Sequence, residues 1–134
     1  MALTGSCLCG AVRYQADQLA SPIGHCHCRT CRKSNSSSYT STARVARSAF
    51  RFAAGEDKLS AFESTPGKLR RFCSVCGTEV LAEWLTQDAV ILRVATLDDD
   101  PGVRPVVHIW TSHDVAWLTD EGEVLRLPEG VKPA

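Results

Sequence analysis

No stretch of this chain is apolar for anything near the ~20 residues that a membrane-crossing helix requires, so no membrane span is expected. An excess of charge of either sign is also missing. Fifteen Lys and Arg balance fifteen Asp and Glu, for a formal net charge of zero. Such a chain has no global field to draw nucleic acid or a membrane surface towards it, which makes nucleic acid a poor partner. The opening Met1-Ala2-Leu3-Thr4-Gly5-Ser6 has neither the basic nor the apolar segment of a secretory signal. A cytoplasmic protein is expected. Helical periodicity is absent as well: no run repeats its apolar residues every three to four positions for long enough to define a helix.

What the chain does have is cysteine, seven in 134 residues. In a reducing compartment, closely spaced cysteines are metal ligands or redox centres rather than a disulfide framework, and an odd number suits disulfide pairing badly. They fall into a pair (Cys7, Cys9), a trio (Cys26, Cys28, Cys31) and a second pair (Cys73, Cys76). A Cys-x-x-Cys-Gly turn such as Cys73 to Gly77 brings two sulfurs to one ion, with glycine taking the positive φ of the tight turn. Cys7-Leu8-Cys9-Gly10 has a less usual spacing but can also present two thiols to one metal. The outer pairs together supply the four ligands of a structural zinc, whereas the trio is one ligand short and keeps a position for water or substrate.

Around these sites the sequence predicts many short strands, and hence a single mainly β domain over residues 1–127 with a tail at 128–134. Val12, Tyr14 and Ala16 alternate with Arg13 and Gln15, the mark of a half-buried strand. Weaker strand character covers Tyr39 to Val45 and Phe50 to Phe52, and Lys58 to Glu63 reads as strand or helical turn. Val80, Ala82 and Trp84 form one face of another strand, opposite Glu79 and Glu83. Val90 to Leu97 is the strongest strand, followed by Val106 to Trp110, Val115 to Leu118 and Glu123 to Leu127. Asp98-Asp99-Asp100 ahead of Pro101-Gly102 reads as a solvated turn, and Ser34 to Ser38 as a loop beside a site.

The trio is expected on an extended segment, with Cys31 returning after a two-residue turn. His25 and His27 then point away from Cys26 and Cys28 and read as solvent-facing or hydrogen-bonded imidazoles. His108 is the better candidate for a remote role as ligand, proton carrier or substrate contact, against the alternative of a satisfied core histidine. His113 is expected at the surface. Arg29, Arg32 and Lys33 beside the trio, and Lys68, Arg70 and Arg71 before Cys73, offset the negative charge of zinc thiolates. A thiolate-rich zinc favours a soft ligand such as a substrate sulfur and is a weak Lewis acid towards water.

The segments Gly5 to Val12, Cys26 to Lys33 and Phe72 to Thr78, with the later Pro105 to Trp110 and Trp117, resemble the signature of the glutathione-dependent formaldehyde-activating enzyme family, whose domain is shared with centromere protein V. The resemblance runs over nearly the whole chain. It implies a β-tent zinc-binding fold of short antiparallel strands and two zinc ions. It further implies a carbon–sulfur lyase activity that joins formaldehyde to glutathione as S-hydroxymethylglutathione. By position, Cys7, Cys9, Cys73 and Cys76 would hold the structural zinc. Cys26, Cys28 and Cys31 would hold the catalytic one, with glutathione as the small-molecule thiol partner.

Three functions therefore compete. The first is a zinc-dependent lyase or synthase acting on thiol–aldehyde adducts. The second is a non-enzymatic zinc module that binds protein or nucleic acid; zero net charge opposes its basic form. The third is a redox or metal sensor in which the trio cycles through disulfides.

Overall fold

The computed structural model describes residues 2–118 and 124–131. Its elements in chain order are β1 (Leu3–Ser6), β2 (Arg13–Ala16), β3 (Gly24–Cys26), α1 (Arg29–Asn35), β4 (Thr40–Ala46), β5 (Phe50–Ala54), β6 (Leu59–Thr65), β7 (Lys68–Cys73), β8 (Glu79–Trp84), β9 (Ala89–Arg93) and β10 (Val107–Ile109). They form a three-stranded sheet, β1-β2-β5, and a seven-stranded sheet, β10-β3-β4-β9-β8-β7-β6. The fold is mainly β, as expected. All pairings are antiparallel except β10 with β3, which run parallel and match Val107 to Gly24, His108 to His25 and Ile109 to Cys26. That pair departs from the expected all-antiparallel arrangement. It brings the C-terminal segment alongside the trio.

The core lies between the sheets. Val12, just before β2, and Tyr14 and Ala16 on its expected inward face are fully buried. They pack with Val45, Val80, Leu81, Val90 and Leu92 and with two cysteines of the outer pairs, Cys7 and Cys73. Those thiols are thus part of the apolar core and not appended to it. Strand β8 is buried along both faces, from Val80 through Glu83, so the expected alternation is lost. Its glutamate at 83 is accommodated by Arg47, whose Nη1 donates to Glu83 Oε2 at 3.2 Å. Burying a carboxylate requires such a partner.

Several strand expectations need correction. The run Val90 to Leu97 is a strand only to Arg93, after which Val94–Thr96 closes a 3-10 turn. No residue of that turn is buried, so β-branched composition there marks neither pairing nor a core position. Val115 to Leu118 makes a turn at Ala116 and Trp117. Residues 124–127 carry no strand, and Glu123 lies outside the described residues. The undecided Lys58 to Glu63 segment resolves into β6, paired with β7 from Leu59 opposite Cys73 onwards.

The three aspartates are a fastening. Asp99 Oδ2 accepts from the Thr4 amide at 2.6 Å and hydroxyl at 2.9 Å, Asp98 accepts from the Ser6 hydroxyl, and Asp100 pairs with Arg104. Asp98 and Asp99 thereby hold β1, a strand with no alternation in the sequence to mark it, while Asp100 closes its own turn. Gly55 fixes the start of the turn after β5. Its φ is +76°, and a Cβ there would collide with the Ala11 carbonyl. We expect Gly55→Ala to cost more than about 2 kcal/mol in a denaturant titration, since left-handed strain and backbone overlap act together.

Candidate metal centres and their surroundings

The outer pairs converge. Cys7 and Cys9 flank the turn after β1, and Cys73 ends β7 with Cys76 three residues on. Both turns use a glycine at positive φ, Gly10 at +79° and Gly77 at +82°. The four sulfurs lie within 4.8 Å of one another. Cys7 Sγ and Cys9 Sγ are 3.6 Å apart, and Cys9 Sγ and Cys73 Sγ 3.9 Å. Four zinc–sulfur bonds of ~2.3 Å in a tetrahedron place sulfurs ~3.8 Å apart. The observed spacings bracket that edge, so the donor set fits a tetrahedral thiophilic ion.

Backbone and hydroxyl donors already favour negative sulfur at this cluster. The Val12 amide donates to Cys7 Sγ at 3.3 Å and the Val75 amide to Cys73 Sγ at 3.4 Å. The Cys76 thiol is held down to about 5, first by the Thr78 hydroxyl and then by the Thr78 and Cys9 amides. Cys9 is pushed up to about 11. The Ala11 amide lowers it, but desolvation and the neighbouring thiols of Cys7, Cys76 and Cys73 outweigh that. Crowded thiols divide in this way because one thiolate disfavours the next.

The trio also converges, with its sulfurs within 4.8 Å of one another and no fourth His, Cys, Asp or Glu ligand atom joining them among the described residues. Its local structure differs from the expected extended segment. Cys26 ends β3, Cys28 is the N-cap of α1 and Cys31 lies in the first turn of that helix. The Cys28 sulfur accepts from the Cys31 amide at 3.2 Å, the position a capping Ser or Asp oxygen would occupy. The helix ends at Ser36, in the left-handed region with φ 52°. Its one buried residue is Cys31, so it carries no apolar stripe for a sequence reading to find.

Charge around the trio comes from the sheet more than from the helix. Arg70, on β7, is buried and donates from Nη1 to Cys31 Sγ at 3.7 Å and to Ser34 Oγ at 3.2 Å. Arg93, at the end of β9, is equally buried and donates from Nη2 to Glu79 Oε1 at 3.0 Å. The Glu79 carboxylate also faces Arg70 Nη1 at 3.5 Å. Two buried guanidiniums thus share one buried carboxylate, leaving one positive charge beside the sulfurs. The Cys31 thiol is held down to about 5, first by Cys26 and also by Cys28, Arg93 and Arg70, against an opposing push from burial. Cys26 is raised, first by its hydrogen bond to Cys31 and then by burial. Arg93 Nε is buried with no hydrogen-bond partner. An unmade bond at such a donor costs about 1–3 kcal/mol.

The expected flanking cations divide differently. Arg70 serves the trio and not the pair it precedes in sequence. Arg32 Nη2 donates to the His113 carbonyl at 3.2 Å, and Arg71 stacks over Phe52 at 5.9 Å. Arg93 and Glu79 went unrecognised. The available signal for Arg93 was a lone cation inside the most apolar strand.

The histidines lie together. Rings of His25, His27 and His108 surround Tyr39 with centroid separations of 4.5 to 5.9 Å. His27 is buried and its Nε2 shares a 2.8 Å hydrogen bond with His108 Nδ1. Asp114 Oδ1 lies 2.5 Å from His27 Nδ1, though without hydrogen-bond alignment. His25 Nδ1 bonds the Ser41 hydroxyl at 2.9 Å. The hydrogen-bonded reading therefore holds for both, while His27 is not solvent-facing. His108 is an exposed residue on an edge strand and no core histidine. His113 is exposed as expected, and its Nδ1 accepts from the Arg29 amide at 3.3 Å. These contacts strap β10 and the turn after it onto β3 and α1.

Among the described residues no helix is long and apolar enough to cross a membrane. The chain is similar in fold to the crystal structure of a Rhodobacter sphaeroides protein, with a TM-score of 0.64 at 23% identity over 78% of this chain and 98% of that one. No curated protein matches it. The model of one family, the glutathione-dependent formaldehyde-activating enzymes, matches residues 2–113, a span that contains all seven cysteines and both arginines buried beside the trio. With that match over most of its length, and with its thiols gathered into a closed set of four and an open set of three, the chain belongs to the glutathione-dependent formaldehyde-activating enzyme family.

Proposed function

We propose that the chain is a zinc-dependent carbon–sulfur lyase or synthase that interconverts a small thiol and an aldehyde with their adduct, such as glutathione and formaldehyde with S-hydroxymethylglutathione. In this reading, residues 1–127 form the catalytic domain. Cys7, Cys9, Cys73 and Cys76 hold a structural zinc, and Cys26, Cys28 and Cys31 a catalytic one. A cytoplasmic location suits this assignment, since all seven thiols must stay reduced.

The observation that carries the reading is the unequal surroundings of the two clusters. The set of four is built into the core and draws on amides and a hydroxyl. The set of three stands against buried Arg70 and Arg93. When bound at the trio, zinc supplies Lewis acidity and a soft coordination position for sulfur. Three thiolates and a divalent ion carry one negative charge, which matches the single positive charge left by Arg70, Arg93 and Glu79. Lys68 is half-buried next to this group, and its ammonium is destabilised first by burial and then by Arg70 and Arg93. An incoming thiolate restores a counter-charge to it. The surroundings thus favour an anionic sulfur over a neutral water.

In the reaction, the thiol sulfur bonds to the carbonyl carbon and the carbon–oxygen π bond breaks. The proton given up by sulfur ends on the former carbonyl oxygen. The reverse step releases the aldehyde. Arg70 and Ser34 keep Cys31 in place throughout, and the strap from β10 holds Cys26 in register through its pairing with Ile109. The test is NMR exchange spectroscopy of glutathione with formaldehyde. Zinc-loaded protein should raise the exchange rate above that of buffer with free zinc, and equal rates would remove the substrate assignment.

A further inference from the structure

A cavity of about 350 Å³ opens between the two sheets. Its floor is apolar. Leu81 of β8 and Val90 of β9 are buried, and Phe50 and Phe52 of β5 are half-buried. Phe50 stacks on the buried ring of Tyr14 at 5.2 Å, and Phe52 meets Phe50 edge-on at 5.1 Å. Strand β5 is the edge of its three-stranded sheet, so no further strand of that sheet covers these rings.

Five charged side chains line the cavity, and three are committed. Arg47 donates to Glu83 and to the carbonyls of Gln87 and Trp84, while Arg51 donates to Gln15 and Asp17. Two remain. Arg71 lies over the Phe52 ring at 5.9 Å, and Glu56 is exposed in the turn after β5. Among the described residues neither side chain has a hydrogen-bond or ion-pair partner. The wall is thus neutral as a whole, with one free cation and one free anion above an apolar floor.

Arg70 and Arg71 are successive on β7, so their side chains leave opposite faces of the sheet. The first reaches Cys31 and the second faces this cavity. A ligand here is therefore separated from the trio by the sheet. Two larger cavities lack this combination. The one of about 500 Å³ beside α1 has its Arg93 and Glu79 paired with each other. The one of about 480 Å³ at Arg32 and Lys33 has Trp117, 70% exposed, as its apolar wall.

We propose that the cavity between the sheets is a second binding site, for a small zwitterion with an aromatic body, of the aromatic amino acid class. The ring packs on Phe50 and Phe52, the carboxylate takes the planar fork of Arg71, and the ammonium is held by Glu56. A simple anion meets repulsion from Glu56 and a simple cation meets it from Arg71, whereas a zwitterion satisfies both; selectivity of this kind rests on the penalty to the wrong ligand. The volume falls within the range of small-molecule sites, about 300–1,000 Å³. This assignment is independent of the thiol chemistry proposed above.

The probe is L-phenylalanine, titrated into the zinc-supplied full chain and followed by amide chemical shifts in NMR. Saturable shifts should centre on Phe50, Phe52 and Arg71. N-acetylphenylalanine, which lacks the ammonium, should bind about threefold more weakly, as for loss of one exposed ion pair. Phenethylamine, which lacks the carboxylate, should bind about tenfold more weakly. Glu56→Gln and Arg71→Gln should weaken L-phenylalanine by the same two factors, and Arg71→Lys, which keeps the charge without the fork, should recover part of the loss. Glutathione at saturation should leave the affinity unchanged. Absence of saturable shifts, equal affinity for the three probes, or indifference to both Gln variants would overturn the assignment. Shifts centred on α1 instead, or competition by glutathione, would overturn it as well, by placing the amino acid in the thiol site.

Discussion

Cys73→Ser should produce a chain that does not fold to a stable domain. In circular dichroism and size exclusion it should be aggregated or lack a cooperative thermal transition. The side chain is fully buried, belongs to the core beside Cys7, Val80 and Leu81, and ends the strand that joins β6 to β8. Serine would place a polar hydroxyl in the core whose hydrogen the Val75 amide, itself a donor, cannot satisfy, at a cost of about 1–3 kcal/mol. The larger effect follows from the proposed structural zinc, which would lose a ligand. Cys9 and Cys73 are 64 positions apart in sequence, and a structural zinc can contribute on the order of 10 kcal/mol to folding. That equals the whole stability of an ordinary domain, about 5–15 kcal/mol. A Cys73→Ser chain that melts near the parent temperature would mean that the set of four does not clamp the fold.

Cys28→Ser should do the opposite: retain the fold and abolish turnover. Serine is among the best N-cap residues, and its oxygen can accept the same Cys31 amide that the Cys28 sulfur accepts now. The start of α1 is therefore kept while one thiolate disappears. Native mass spectrometry should find two zinc ions on the parent chain and one on the variant. Thiol–aldehyde exchange should fall by on the order of 100-fold or more, since even outer partners of a metal ligand cost 10–100-fold when lost. Melting of the whole domain in this variant would erase the distinction between a structural and a catalytic cluster. A parent chain that binds one ion, with three titratable thiols left at the trio, would favour the sensor over the enzyme.

The two clusters were legible in the sequence because cysteine spacing is a local signal with few alternative meanings. The alternation at Val12, Tyr14 and Ala16 and the glycines after each outer pair were legible for the same reason, since each follows from neighbours in the chain. Helix α1 was not. It is seven residues long and held by a sulfur cap, a left-handed Ser36 and one buried thiol, none of which leaves a periodic trace. The role of Arg93 was equally hidden, because a cation in an apolar strand acquires meaning only once Glu79 and Arg70 are brought to it by pairing across β7, β8 and β9. The parallel β10–β3 pair depends on a connection through most of the chain. Contacts at that separation leave little mark on local pattern, which is why the histidine cluster was read as isolated residues.

Strand β7 carries Arg70 and Cys73 three positions apart, both buried. The first touches Cys31 and the second closes the set of four. Anyone wishing to transplant the reactive loop into another β scaffold should therefore not regard Cys26 to Asn35 as a portable cassette. The smallest transferable piece includes β7 and the turn that anchors it, because the arginine beside one cysteine cluster is aligned by a cysteine of the other. Recombination between relatives would be expected to respect the same boundary, with crossovers penalised between Arg70 and Glu79.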